Sequence, residues 1–103
     1  MRAGKLIYAA SLTDEGLICR AFDAIGGLAW TRPLPATAWP PLAVGEKVFV
    51  VDSFGVVIRI DPADGHEVKR VETGLSLQQP AVAVGEQLLL STLAGELVLI
   101  PQP

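Results

Sequence analysis

The chain has 103 residues, half of them hydrophobic, with 8 Lys and Arg against 11 Asp and Glu and a net charge of −3. That length is one domain (1–103) able to bury a core, and the interspersed acidic and basic residues argue against a nucleic-acid surface, which needs clustered Lys and Arg. No apolar run approaches the roughly 18 residues of a membrane span, and Cys19, the single cysteine, excludes an intrachain disulfide or a thiolate metal cluster.

The N terminus, "MRAGKLIYAASLTDEG", has an Arg and a Lys but only a brief apolar stretch with charge close behind. No secretion signal is read there, which favours the cytoplasm. "GKLIYAAS", opening at Gly4, and "LICRAF" read as strands on either side of the turn "SLTDEG". "ICRAFDAIGGLAW" comes nearest to a helical period, but its Gly pair breaks it. "PLAVG" is a short opening strand, and "KVFVV" and "GVVIRI" are rich in β-branched residues that suit a pleated surface. The "DSFG" between them has hairpin length, with Gly55 available for positive φ. In "DPADG", Pro62 presets φ, Asp61 bonds forward into the backbone and Gly65 closes the turn. "HEVKRVET" is a more polar alternating strand, suited to an outer edge.

The same phrases return. Pro40 to Ile60 aligns without gaps on Pro80 to Ile100, so that Gly45 falls on Gly85 and Gly55 on Gly95, 40 residues apart. A looser copy precedes them, in which Asp23, Gly27 and Trp30 answer Asp61, Gly65 and Val68 at 38 residues. The unit is therefore about 40 residues of short antiparallel strands, with copies near 4–38, 39–78 and 79–103. Its middle strands are apolar on both faces, as expected where sheets stack. Three strands are expected in the first copy, four in the second and three in the third. Four-stranded units of this length predict an all-β fold of β-propeller blades, a partial ring of about ten strands.

The order "P…VG", apolar strand, "G", strand, "D-x-x-x-G-x-x-W" resembles the pyrroloquinoline-quinone-type (quinoprotein-like) propeller repeat. Asp23, Gly27 and Trp30 carry it in the first copy, and Gly55, Asp61 and Gly65 in the second. The family includes quinoprotein dehydrogenases and non-enzymatic relatives. The resemblance implies that Trp30 packs between blades. The quinone enzymes need a full ring, a calcium site and a catalytic carboxylate, none of which can be carried over onto residues of this chain. No cofactor is therefore expected.

The chemistry-bearing side chains favour structural roles. His66 is the only histidine, in a turn without a second His or a thiolate pair. Asp52, Asp61 and Asp64 are better explained by turns than by calcium, which wants six to eight oxygens. Ser53 and Ser91 lack the His and acid that would activate a nucleophile. Trp39 in "ATAWPP" and Phe54 in "DSFG" sit in turns, either as anchors for a partner or as fillers between blades.

These readings point to a non-catalytic propeller module, a scaffold or protein-interaction domain rather than an enzyme. A segment of two to three blades leaves a different apolar flank bare at each end. Two copies, or this chain and another propeller segment, would complete a ring head to tail. The alternatives are a fragment of a quinone-dependent dehydrogenase, or a small-ligand or sugar-binding propeller with Trp39 stacking on its ligand.

Overall fold

The computed structural model describes residues 2–3, 6–14, 16–35 and 37–103; Gly4, which opens the first copy, and Glu15, in its turn, lie outside them. These residues form eleven strands in three antiparallel sheets. The first sheet runs in the order β1 (Arg2–Ala3), β2 (Leu6–Thr13), β3 (Gly16–Phe22), β4 (Leu28–Leu34). The second runs β5 (Leu42–Val44), β6 (Lys47–Val51), β7 (Val56–Ile60), β8 (Glu67–Glu72). In the third, β10 (Gln87–Ser91) lies between β9 (Val82–Val84) and β11 (Leu97–Pro101). The strands β2–β4, β5–β8 and β9–β11 fall in three separate sheets, with β1 added to the first.

Two details of the first copy differ from expectation. It has a fourth strand, because β1 pairs Arg2 with Ile7 and Ala3 with Leu6. Two residues are too few to show a period of two, so nothing in their pattern announces a strand. The stretch "SLTDEG" is also not a longer turn but a longer hairpin arm. Ser11, Leu12 and Thr13 pair with Ile18, Leu17 and Gly16, and the Thr13 hydroxyl donates to the Gly16 carbonyl at 2.9 Å.

The core follows from strand alternation. Val48, Val50, Ile58 and Ile60 point to the first sheet, where they meet Tyr8, Cys19, Ala21, Trp30 and Leu34. Phe49, Val51 and Val57, the interleaved residues, point to the third and meet Leu77, Ala81, Leu88 and Leu90. The middle sheet is covered on both faces. Phe49, Leu88 and Leu90 are fully buried, each worth about 1.5–3 kcal/mol of transfer free energy. The outer strand β8 is exposed along its length except for the half-buried Val71, as its polar sequence requires.

Candidate functional site

Four of the turns are held by a side chain that accepts from the backbone ahead of it. The Asp52 carboxylate accepts from the amides of Phe54 at 2.9 Å and Val56 at 3.0 Å. In the third sheet the Thr92 hydroxyl takes that place, accepting from Glu96 N at 3.1 Å. The turns toward the outer strands use Asp61, which accepts from Ala63 N at 2.8 Å, and Asp23, which accepts from Ile25 N and Gly27 N. Gly45 and Gly85 occupy the two-residue turns before β6 and β10, and Gly95 is the counterpart of Gly55.

Trp30 joins the first two sheets. Its Nε1 donates to the Pro62 carbonyl at 2.8 Å, its ring lies on Gly65, and Tyr8 packs behind it with ring centroids 5.7 Å apart. A Cβ at Gly65 would stand 2.5 Å from Trp30 Cε3, and Gly65 holds φ of +80°, so two constraints select glycine there. Arg32 reaches the same turn, donating to the Gly65 carbonyl at 3.0 Å, with its other terminal nitrogen 3.7 Å from Glu67. The Asp61 turn is thus a ledge on which the outer strand of the preceding sheet rests.

The ladder corrects one sequence correspondence. Ala21 pairs with Trp30 and Arg59 with Lys69, each beside a register shift at the same point of the sheet. Lys69 therefore stands where Trp30 stands, rather than Val68. The turn after Asp23 is one residue shorter than that after Asp61, with Phe22 opposite Leu28 but Ile60 opposite Glu67. For the same reason the left-handed glycine of the first turn is Gly26, at φ of 87°, and not Gly27.

Asp61, Asp64 and His66 bring their ligand atoms within 4.8 Å of one another. All are engaged in the turn itself: His66 Nδ1 lies 2.5 Å from Asp64 Oδ1, which also accepts from His66 N at 3.0 Å. The backbone and ring bonds from His66 lower the Asp64 pKa. Ser53 and Ser91 serve connectors, Ser53 N donating to the Thr37 carbonyl and the Ser91 hydroxyl accepting from Gln79 Nε2 at 3.0 Å. Cys19 is buried between the first two sheets, and burial pushes its thiol up to about 11 against the lowering effect of Arg32. Its thiolate is accordingly scarce at pH 8. Alkylation of the native protein is expected to be slower than that of the denatured chain by on the order of a hundredfold. A thiol-reagent time course with and without denaturant measures this ratio.

The two candidate aromatics part company. Trp39 is half-buried against the core between the second and third sheets. With Pro40, Leu42, Phe49 and Pro80 it lines an apolar crevice of about 220 Å³. Phe54 is 67% exposed at the tip of its hairpin. Leu12 (80%) and Leu93 (67%) are equally bare on the corresponding hairpins of the first and third sheets. Neither leucine is singled out by the sequence reading. The available signal is Leu93 itself, an apolar residue in a turn where the second copy has Ser53.

The outward faces of the first and third sheets repeat faces that are buried inside. Val82, Val84, Leu89 and Leu97 occupy on the third sheet the positions of Leu42, Val44, Phe49 and Val57 on the second. The latter four pack into the core facing the third sheet. Leu97 and Leu99 are 69% and 50% exposed. On the first sheet, Ile7, Ala9, Arg20 and Phe22 correspond to Val48, Val50, Ile58 and Ile60. Arg20 replaces an aliphatic residue there and donates to the Ser11 hydroxyl at 2.9 Å.

The crystal structure of BamB from Moraxella catarrhalis aligns with 98% of this chain at a TM-score of 0.72 and 19% sequence identity. The three sheets are β-propeller blades. This chain spans 31% of that protein's length, and at such identity the likeness shows the fold alone. No family model matches the chain, nor does any curated protein. Among the described residues, no helix is long and apolar enough to cross a membrane.

Proposed function

We propose that the chain is a non-catalytic propeller module, a scaffold or protein-interaction domain that completes a ring through its two flanks, by self-association or within a larger assembly. The observation that carries this reading is the positional identity between the outward faces and the buried ones. A face bearing Val82, Val84, Leu89 and Leu97 is built like one that meets another blade, and Leu99 adds to its bare apolar area. Exposed apolar area of that kind marks an interaction surface. The two flanks differ, so the contact between them is head to tail. The non-catalytic part of the proposal is supported by the carboxylates and His66, which are committed to turns. We further assign the repeat to the pyrroloquinoline-quinone type on the strength of the Trp30 joint. In this reading Phe54 is a partner contact, and Trp39, lining its crevice, is a second one.

The test is mass in solution. Sedimentation of the chain is expected to show species heavier than the 10.9 kDa of one copy. Leu97→Asp combined with Leu99→Asp is expected to dissociate them. A sharp monomeric peak that melts cooperatively at low concentration removes the reading.

A further inference from the structure

One end of the stack gathers all three inner hairpins. The Thr73 amide donates to the Gly55 carbonyl at 3.1 Å, Leu77 N to the Ser53 carbonyl at 2.9 Å, and Leu93 N to the Ser76 carbonyl at 2.9 Å. Residues 73–77 therefore tie the tip of the second sheet to that of the third. The first hairpin lies at the same end. Leu17, beside its turn, pairs with Leu34, and the chain leads on to Thr37, whose carbonyl accepts from Ser53 N at 3.1 Å.

This end has an unusual surface. Hairpin ends are ordinarily polar, yet Phe54 and Leu93 in two of the turns, and Leu12 on the arm beside the third, each present a large, solvent-exposed apolar side chain. Around them stand the exposed carboxylates of Asp14, Glu72 and Glu96. Among the described residues of 12–17, 33–39, 52–56, 72–78 and 91–97 there is no Lys, Arg or His. Two bases stand near this end: Arg70, held by Glu67 at 2.7 Å and also within electrostatic reach of Glu72, and Arg20, which donates to the Ser11 hydroxyl beside Leu12 at 2.9 Å. A groove of about 380 Å³ runs between Gly74–Ser76 and Thr92–Glu96.

We propose that this end docks a cationic amphipathic segment of a partner protein, with apolar side chains on Leu12, Phe54 and Leu93 and basic ones against Asp14, Glu72 and Glu96. Charge complementarity selects the occupant: an acidic rim penalises acidic partners and rewards basic ones. The same rim repels an anionic membrane surface and a phosphate backbone, leaving a polypeptide as the apolar and basic ligand. The assignment rests on reading the chain as an interaction module, but on a surface separate from the flanks. Solution mass therefore tests one and peptide binding the other.

The probe is a labelled synthetic peptide of alternating leucine and lysine, titrated into the intact chain beside its leucine–glutamate counterpart. The lysine peptide is expected to bind at least about tenfold more tightly. Phe54→Ser with Leu93→Ser, and separately Glu72→Lys with Glu96→Lys, are each expected to weaken it at least about tenfold. The second pair changes only exposed side chains, so its effect does not depend on packing. Raising salt from about 0.05 M to about 0.5 M is expected to weaken the native complex. Absence of binding, equal binding of the two peptides, or full binding by either double variant overturns the proposal.

Discussion

Replacing Trp30 with Ala is expected to lower the unfolding free energy by about 3–5 kcal/mol, the range for deleting a buried large aromatic. Trp30 is only 8% exposed, and it touches both sheets it joins. Removing it opens a cavity beside Tyr8 and strips the Pro62 carbonyl of its indole donor at 2.8 Å. Trp30→Phe separates these contributions. It keeps most of the apolar contact and loses the hydrogen bond, so about 1–3 kcal/mol of the loss is expected. Denaturant titration followed through far-UV dichroism measures both. A Trp30→Ala loss below about 1 kcal/mol would show that the joint is not a principal contact between the sheets.

Gly55→Ala and Gly95→Ala form the second test, because the two glycines share one turn position and differ in surroundings. Both have left-handed φ, +81° and +84°. A side chain in that region costs about 1–2 kcal/mol. At Gly95 nothing lies within 4 Å of the added Cβ, so the backbone cost is the whole effect. At Gly55 the Cβ would collide with the Thr73 hydroxyl and the Leu75 carbonyl, with Leu75 N at 3.0 Å. The connector cannot retreat freely, because Thr73 donates to the Gly55 carbonyl through both its amide and its hydroxyl. Overpacking adds about 1–3 kcal/mol, so Gly55→Ala is expected to cost about 2–5 kcal/mol in total. Equal losses at the two positions, measured by thermal or denaturant unfolding, would contradict this account.

What was legible in the sequence was whatever repeated or alternated over enough residues. Apart from Lys47 and Arg59, "KVFVV" and "GVVIRI" are apolar on both faces, and residues of both faces are buried. "DPADG" and "DSFG" carry their turn chemistry in the residues themselves. Features that depend on pairing partners were not legible. The two residues of β1 acquire strand character only by lying against Ile7 and Leu6. One residue fewer after Asp23 moves the outer ladder by a step, so matching Trp30 by count led to Val68 where the pairing leads to Lys69. At the candidate surfaces, Phe54 stood out as an aromatic in a turn. Leu12 looked like part of a turn because the hairpin arm carrying it extends past the length of its counterparts. Bare apolar flanks follow from the number of blades alone, but Arg20 in the place of Ile58 is visible only once the register is known.

The alternation along β6 has a consequence for how the molecule comes apart. Successive residues Val48, Phe49, Val50 and Val51 belong to two different cores, so no hydrophobic cluster can open without exposing one side of this strand. In a linear array, stability divides into intrinsic terms for each unit and coupling terms between neighbours. The central unit alone has two couplings, and each terminal unit has one. Loss of a terminal sheet therefore leaves one core intact, whereas loss of the central sheet dissolves both. The folded state is anchored at its middle and loosens from its ends, the same ends that present the bare faces.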